Sequence, residues 1–269
     1  SDTGGSVRIP AAWNDLVGLK TTIGRLSVRG TVPLNPDFDT VGPLCRSTED
    51  ALHLLCALEG RKVPNLQSIE VKNLKLMILK TGTFDDVCPE VAKGFERVLD
   101  ALKDQGASVV DRDIVEVESA QILGNTVFPA GAYGTWKAEI EAAPQLMFPE
   151  ILDRFRGGRD VLASDYIHAW IKLRELRHEW LNKTSEYDAV ILPTSQILPP
   201  NIKLLENDGD YYKKNNLLAL KNTRIGNLMG LASLTLPTGV PSTGFMLMSG
   251  PNSEDILLSI GAAIEKIVN

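Results

Sequence analysis

A chain of 269 residues, 43% hydrophobic and 23% charged, can bury a substantial core as one large domain or two small ones, which excludes broad disorder. Its formal net charge of −6 gives a field that does not draw in phosphate backbones, which argues against nucleic acid as a partner. No run of about 18 apolar residues occurs, so no membrane span is predicted.

Residues 1–43 are punctuated by Gly and Pro and read as loops and short strands. In "RSTEDALHLLCALEG", Ser47 with Asp50 three residues on predicts a helix start, and Gly60 its end. His53 lies inside that helix with no partner at metal-ligand or triad spacing, so it reads as a surface or structural histidine. The apolar run Leu74–Leu79 predicts a buried strand. Val91, Phe95, Val98, Leu99 and Leu102 repeat at helical spacing with Gly106 as a stop, and Ala107–Asp111 predicts the next strand. This alternation points to an α/β domain with parallel pairing.

Residues 119–183 read as mostly helical. Ile167, Trp170, Ile171 and Leu173 supply apolar positions in "SDYIHAWIKLRELRHEWLNK", while His168 and His178 lack the i, i+4 spacing of a helical zinc site. The aromatic residues here read as packing rather than a cofactor box. Tyr187–Thr194 predicts a buried strand broken by Pro193, and the polar residues Glu206–Asn216 a loop or a helix approach. Two further strands follow in "ASLTLPTG" and "TGFMLMSG". Ile256, Leu257, Ile260, Ala263 and Ile264 fall on one face of a closing helix. Cys45, Cys56 and Cys88 form no C-x-x-C pair, a poor disulfide framework and a poor zinc site, which fits a reducing, cytoplasmic setting.

The chemistry sits in the opening "SDTGGSVRIP". Its glycines permit φ > 0 and close approach of a ligand to the main chain, and consecutive N–H groups in such a turn can converge on one oxygen. With the Ser6 hydroxyl at the end, these parts match acyl transfer. Spacing alone also fits an ordinary turn. A phosphate loop is disfavoured, because Gly-x-x-x-x-Gly-Lys-Ser/Thr does not occur.

The longer stretch "SDTGGSVRIPAAWNDLVGLKTTIGRLS" closely resembles the signature of the amidase signature family, Gly-Ser-Asp-x-Gly-Gly-Ser-[Ile/Val]-Arg-x-Pro-Ala followed by Gly-Leu-Lys-Pro-Thr-x-Gly-Arg. The resemblance continues through Asp39–Leu55, "YDAVILPT" and the tail from "GNLMGLASLTLP" onward. It implies an α/β fold with a mixed, twisted sheet flanked by helices, and hydrolysis of a carboxamide by a Ser–cis-Ser–Lys triad. Ser6 is the implied nucleophile, the amides of Thr3, Gly4, Gly5 and Ser6 the oxyanion hole, and Asp2 and Arg8 the braces of the loop. No metal or cofactor is implied; the expected partners are a small-molecule amide and a second copy of the chain in a homodimer.

The family's lysine and cis-serine lie upstream of its nucleophile, so residues 1–269 are expected to be the C-terminal part of one such domain, with the N-terminal segment of the same enzyme as their partner. Expressed alone, they are expected to be inactive and poorly folded, with the strands at Leu74–Leu79, Val190–Leu192 and Leu234–Leu236 lacking neighbours. Lys20 occupies a different motif position and is not the missing base. Thr21 stands where the family has Pro, and Met246 where it often has Gln. Two rival readings are an amidase-like scaffold without activity and an N-terminal-nucleophile hydrolase using Ser1.

Overall fold

The computed structural model describes residues 1–268. The chain passes through α1 (Arg8–Trp13), β1 (Val17–Lys20), β2 (Leu44–Cys45), α2 (Thr48–Glu59), β3 (Lys75–Leu79), α3 (Pro89–Asp104) and β4 (Ser108–Arg112). It continues with α4 (Glu116–Ala142), α5 (Pro149–Arg156), α6 (Ala163–Thr184), β5 (Ala189–Pro193), α7 (Ile202–Asn207), α8 (Gly209–Lys221) and α9 (Thr223–Leu228). Strands β6 (Ala232–Pro237) and β7 (Gly244–Ser249) and helix α10 (Glu254–Val268) follow.

All seven strands join one sheet in the order β2-β1-β6-β7-β5-β3-β4. Strand β3 pairs in parallel with β4 and β5, as the α/β alternation predicts. The remaining pairs are antiparallel, so the sheet is mixed. Successive strand residues point to opposite faces, and both faces are covered. Leu76, Ile78, Ile191, Leu234 and Leu247 meet Leu52, Leu55, Phe95, Val98, Leu257 and Ile260 of α2, α3 and α10. Met77, Leu79, Val190, Leu192, Met246 and Met248 meet Val117, Leu173, Trp180, Ile225 and Leu228 of α4, α6 and α9. Burial on two sides is why these strands read as unbroken apolar runs.

Several boundaries follow their local signals. Ser47 accepts a hydrogen bond from the Asp50 N–H, and Gly60 ends α2 at φ 67°. Other expectations are corrected. Residues 8–13 form a helix rather than a loop; Pro10 permits it because it lies in the first turn, where its missing N–H is not needed, and Val7, Ile9 and Ala11 are buried by it. Residues 209–221 are helical despite their polarity, with Asp208 accepting from the Tyr211 N–H at 2.9 Å. On α6 the buried face is Ala169, Leu173 and Trp180, while Ile167 and Ile171 are exposed.

The largest correction concerns the sheet. The strands expected to lack neighbours are interior, with β3 between β5 and β4, β5 between β7 and β3, and β6 between β1 and β7. Chain order does not reveal this, because β6 and β7 insert between β1 and β5. The sheet's edges are β2 and β4.

Candidate active site

The loop 1–6 is held from below by ions. Asp2 and Arg8 are both fully buried and form a bidentate pair, Nε to Oδ2 at 3.0 Å and Nη2 to Oδ1 at 2.9 Å. Arg8 also donates to the Thr223 carbonyl at 2.7 Å and to Asn227 Oδ1 at 2.6 Å. Its remaining Nη1 proton faces Met246 Sδ at 3.5 Å, so the residue that departs from the family pattern is a weak acceptor in this network. Asn227 Nδ2 returns a hydrogen bond to Asp2 Oδ1 at 3.0 Å. Burial opposes ionisation of Asp2, but the charge and hydrogen bonds of Arg8 prevail and hold its carboxyl well below the usual carboxylate range.

The upper part of the loop is fixed by two threonines. Thr3 donates to Asp39 Oδ1 at 2.5 Å, and Thr223 donates to the Gly4 carbonyl at 2.7 Å. Gly5 has φ 146°, and a Cβ there would stand 2.3 Å from Thr223 Oγ1 and 2.7 Å from Ile9 Cδ1. A Cβ on Gly4 would meet nothing closer than 3.7 Å. Gly5→Ala should therefore destabilise the fold by about 2–4 kcal/mol, while Gly4→Ala should melt close to wild type. Thermal melting of the two variants side by side checks this, and equal melting temperatures would refute it.

Above these braces the polar groups are free. Ser6 is exposed while Thr3, Gly5 and Val7 are buried. Among the described residues, the N–H groups of Thr3, Gly4, Gly5 and Ser6 find no protein acceptor, whereas the flanking Asp2 N–H bonds the Thr40 carbonyl and the Ile9 N–H bonds the Gly5 carbonyl. Four N–H donors without a protein acceptor and one exposed serine thus lie together on a braced loop.

Lys20 lies on β1, buried, and donates to the carbonyls of Thr21 at 3.0 Å and Leu231 at 2.7 Å. Burial and the positive charge of Arg8 push its pKa down to about 7, against the pull of Asp2 and Glu254. The folded value lies below the ordinary 10.5, so between the two the unfolded chain binds more protons and stability rises with pH. Unfolding free energy should climb from about pH 7 toward about pH 10, and Lys20→Met should flatten that climb. Urea titrations at stepped pH test it; the same slope in both proteins would refute it.

The three histidines are exposed. The three cysteines are free, with burial pushing the Cys45 and Cys56 thiols up, away from the reactive thiolate. No three His, Cys, Asp or Glu side chains gather as a metal-ligand set among the described residues, and no helix among them is long and apolar enough to cross a membrane.

Sequence reading located Asp2, Thr3, Gly4, Gly5, Ser6 and Arg8, and the fold keeps them together. It missed Asn227 and Thr223, which brace the loop from more than two hundred residues away. The one available signal was a polar Asn in the apolar "GNLMGL".

A mixed sheet between helical layers, carrying a Gly-Gly-Ser loop, defines an α/β protein of the amidase signature fold. The crystal structure of an amidase superposes with TM-score 0.86 at 25% identity, covering 100% of this chain and 62% of that one. The family model for Amidase matches residues 1–258, and the chain belongs to that family. It is 30% identical over 282 residues to 2-amino-5-chloromuconic acid deaminase of Comamonas testosteroni, covering 100% of this chain and 60% of the relative. It is also 30% identical over 311 residues to one subunit of the glutamyl-tRNA(Gln) amidotransferase of Akkermansia muciniphila, covering 99% of this chain and 65% of the relative. The chain thus spans less than two thirds of the length of these relatives.

Proposed function

We propose that the chain is the nucleophile-bearing, C-terminal part of an amidase signature domain that hydrolyses a carboxamide through an acyl-serine intermediate. One observation carries this reading: the exposed Ser6 hydroxyl closes a run of four unpaired N–H donors on a braced loop. In the reaction a base takes the Ser6 proton and Oγ attacks the amide carbonyl. The negative charge on the former carbonyl oxygen is received by the amides of Thr3 to Ser6, where one donor is worth ~3–4 kcal/mol in enzymes that use such a hole. The C–N bond then breaks, nitrogen takes the proton and leaves as ammonia or amine, and water releases the acid and restores Ser6.

By the family resemblance the base is a lysine acting through a second serine, both upstream of Ser1. Lys20 is not assigned this role, because its ammonium is spent on two main-chain carbonyls. The chemistry calls for no metal or cofactor. The relatives' names, a deaminase and one chain of an amidotransferase, support C–N bond chemistry, and the second also supports a chain that works beside partner subunits.

A serine-directed fluorophosphonate, applied to the complete enzyme and mapped by peptide mass spectrometry, should modify Ser6. Adduct on another serine, with Ser6 unmodified, would overturn the assignment.

A further inference from the structure

Arg224 follows Thr223, the residue that holds the Gly4 carbonyl. Its stem runs along the loop: a Cβ on Gly4 would lie 3.7 Å from Arg224 Cγ and 3.9 Å from Nε. The guanidinium carbon stands 5.5 Å from the centre of the Phe128 ring, so the group is positioned by an aromatic face. Among the described residues no carboxylate forms an ion pair with it and no acceptor takes its protons. Burial and the nearby Arg154 guanidinium push its pKa down to about 10, which leaves it charged at neutral pH.

This cation lines a cleft of about 390 Å³ between α4, α8 and α9, whose walls include the apolar Ile122, Phe128, Leu217 and Leu228. Three other charges line the same cleft. Lys221 is paired with Asp85 at 3.2 Å and lies 3.9 Å from Asp86, and Glu118 does not reach Arg224 within ion-pair distance. Among the described residues Arg224 is therefore the unpaired cation lining this cleft, and its stem lies beside the candidate nucleophile loop. A partly desolvated guanidinium without acceptors is costly, and its planar fork matches a carboxylate in two parallel hydrogen bonds.

We propose that Arg224 anchors a carboxylate of the substrate, so that the enzyme acts on amides that carry a carboxylate group near the scissile amide. One free positive charge, with Glu118 and Asp86 lining the same cleft, suits a singly charged carboxylate rather than a dianion. The inference rests on the Ser6 reading for the identity of the scissile group.

The test uses the complete enzyme and monoamides of short dicarboxylates, each paired with its methyl ester. The wild type should favour the acid of the best chain length by about 100-fold in kcat/KM, the order that follows from leaving one buried donor group without its acceptor. Arg224→Gln should collapse that ratio, chiefly through KM, and Arg224→Lys should keep part of it; thermal melts confirm that each variant is folded, with the lysine variant deciding if the other is not. A wild-type ratio near one, or variants that lower both substrates equally, would overturn the proposal. The second result would mean that Arg224 acts on the loop or pairs with a carboxylate of the protein. If Ser6→Ala still hydrolyses both substrates, the Ser6 reading fails by itself. The carboxylate site is then judged by calorimetry, where the Ser6→Ala variant should bind a short dicarboxylate and the Ser6→Ala/Arg224→Gln variant should not. Equal binding by both would overturn it.

Discussion

Ser6→Ala is expected to lower amide turnover in the complete enzyme by about 10⁴-fold or more, as removal of a serine nucleophile does elsewhere. The residual rate would come from the proposed oxyanion donors and substrate binding, which the substitution leaves in place. The fold should not notice the change. Ser6 is exposed and its hydroxyl makes no hydrogen bond among the described residues, so stability should stay within about 0.5 kcal/mol of wild type. Active-site titration with steady-state kinetics, together with thermal melting, separates the two effects. Near-normal turnover would remove Ser6 from the mechanism, and a large drop in melting temperature would make it structural.

The second large effect is on stability. Arg8→Met would leave the fully buried Asp2 carboxylate without its cation and free the Thr223 carbonyl and Asn227 Oδ1. Breaking a buried pair by removing one partner costs about 3–5 kcal/mol, a large share of a domain's net stability. Arg8→Lys should recover little, because an ammonium cannot serve both Asp2 oxygens and two further acceptors in one plane. The pH dependence has a definite sign. Asp2 has a folded pKa below its unfolded value, so the pair contributes fully above the unfolded value of about 4 and is lost as pH falls through the folded one. Without Arg8 the folded carboxyl moves up, and acid unfolding should begin at higher pH. Urea denaturation across the acid range measures both. An Arg8→Met variant as stable as wild type at neutral pH would show that the pair does not brace the loop.

Local sequence determined much of this protein. Ser47 and Gly60 bound α2, the spacing from Val91 to Leu102 gives α3, and the apolar runs become β3, β5, β6 and β7, because caps and periodicity act over a few residues. The glycines and hydroxyl of the opening loop were likewise legible, since their conformational freedom and chemistry are properties of the residues themselves. Tertiary structure decided the rest. Pro10 suits either a loop or a first helical turn, and packing of Val7, Ile9 and Ala11 selects the helix. The sheet order could not be read, because which strands become neighbours depends on covering both faces of the sheet at once. The braces of the candidate nucleophile loop, Asn227 and Thr223, and the unpaired Arg224 beside it come from the far end of the chain. Their roles arise from contacts across more than two hundred residues, a distance over which no periodicity or capping signal carries.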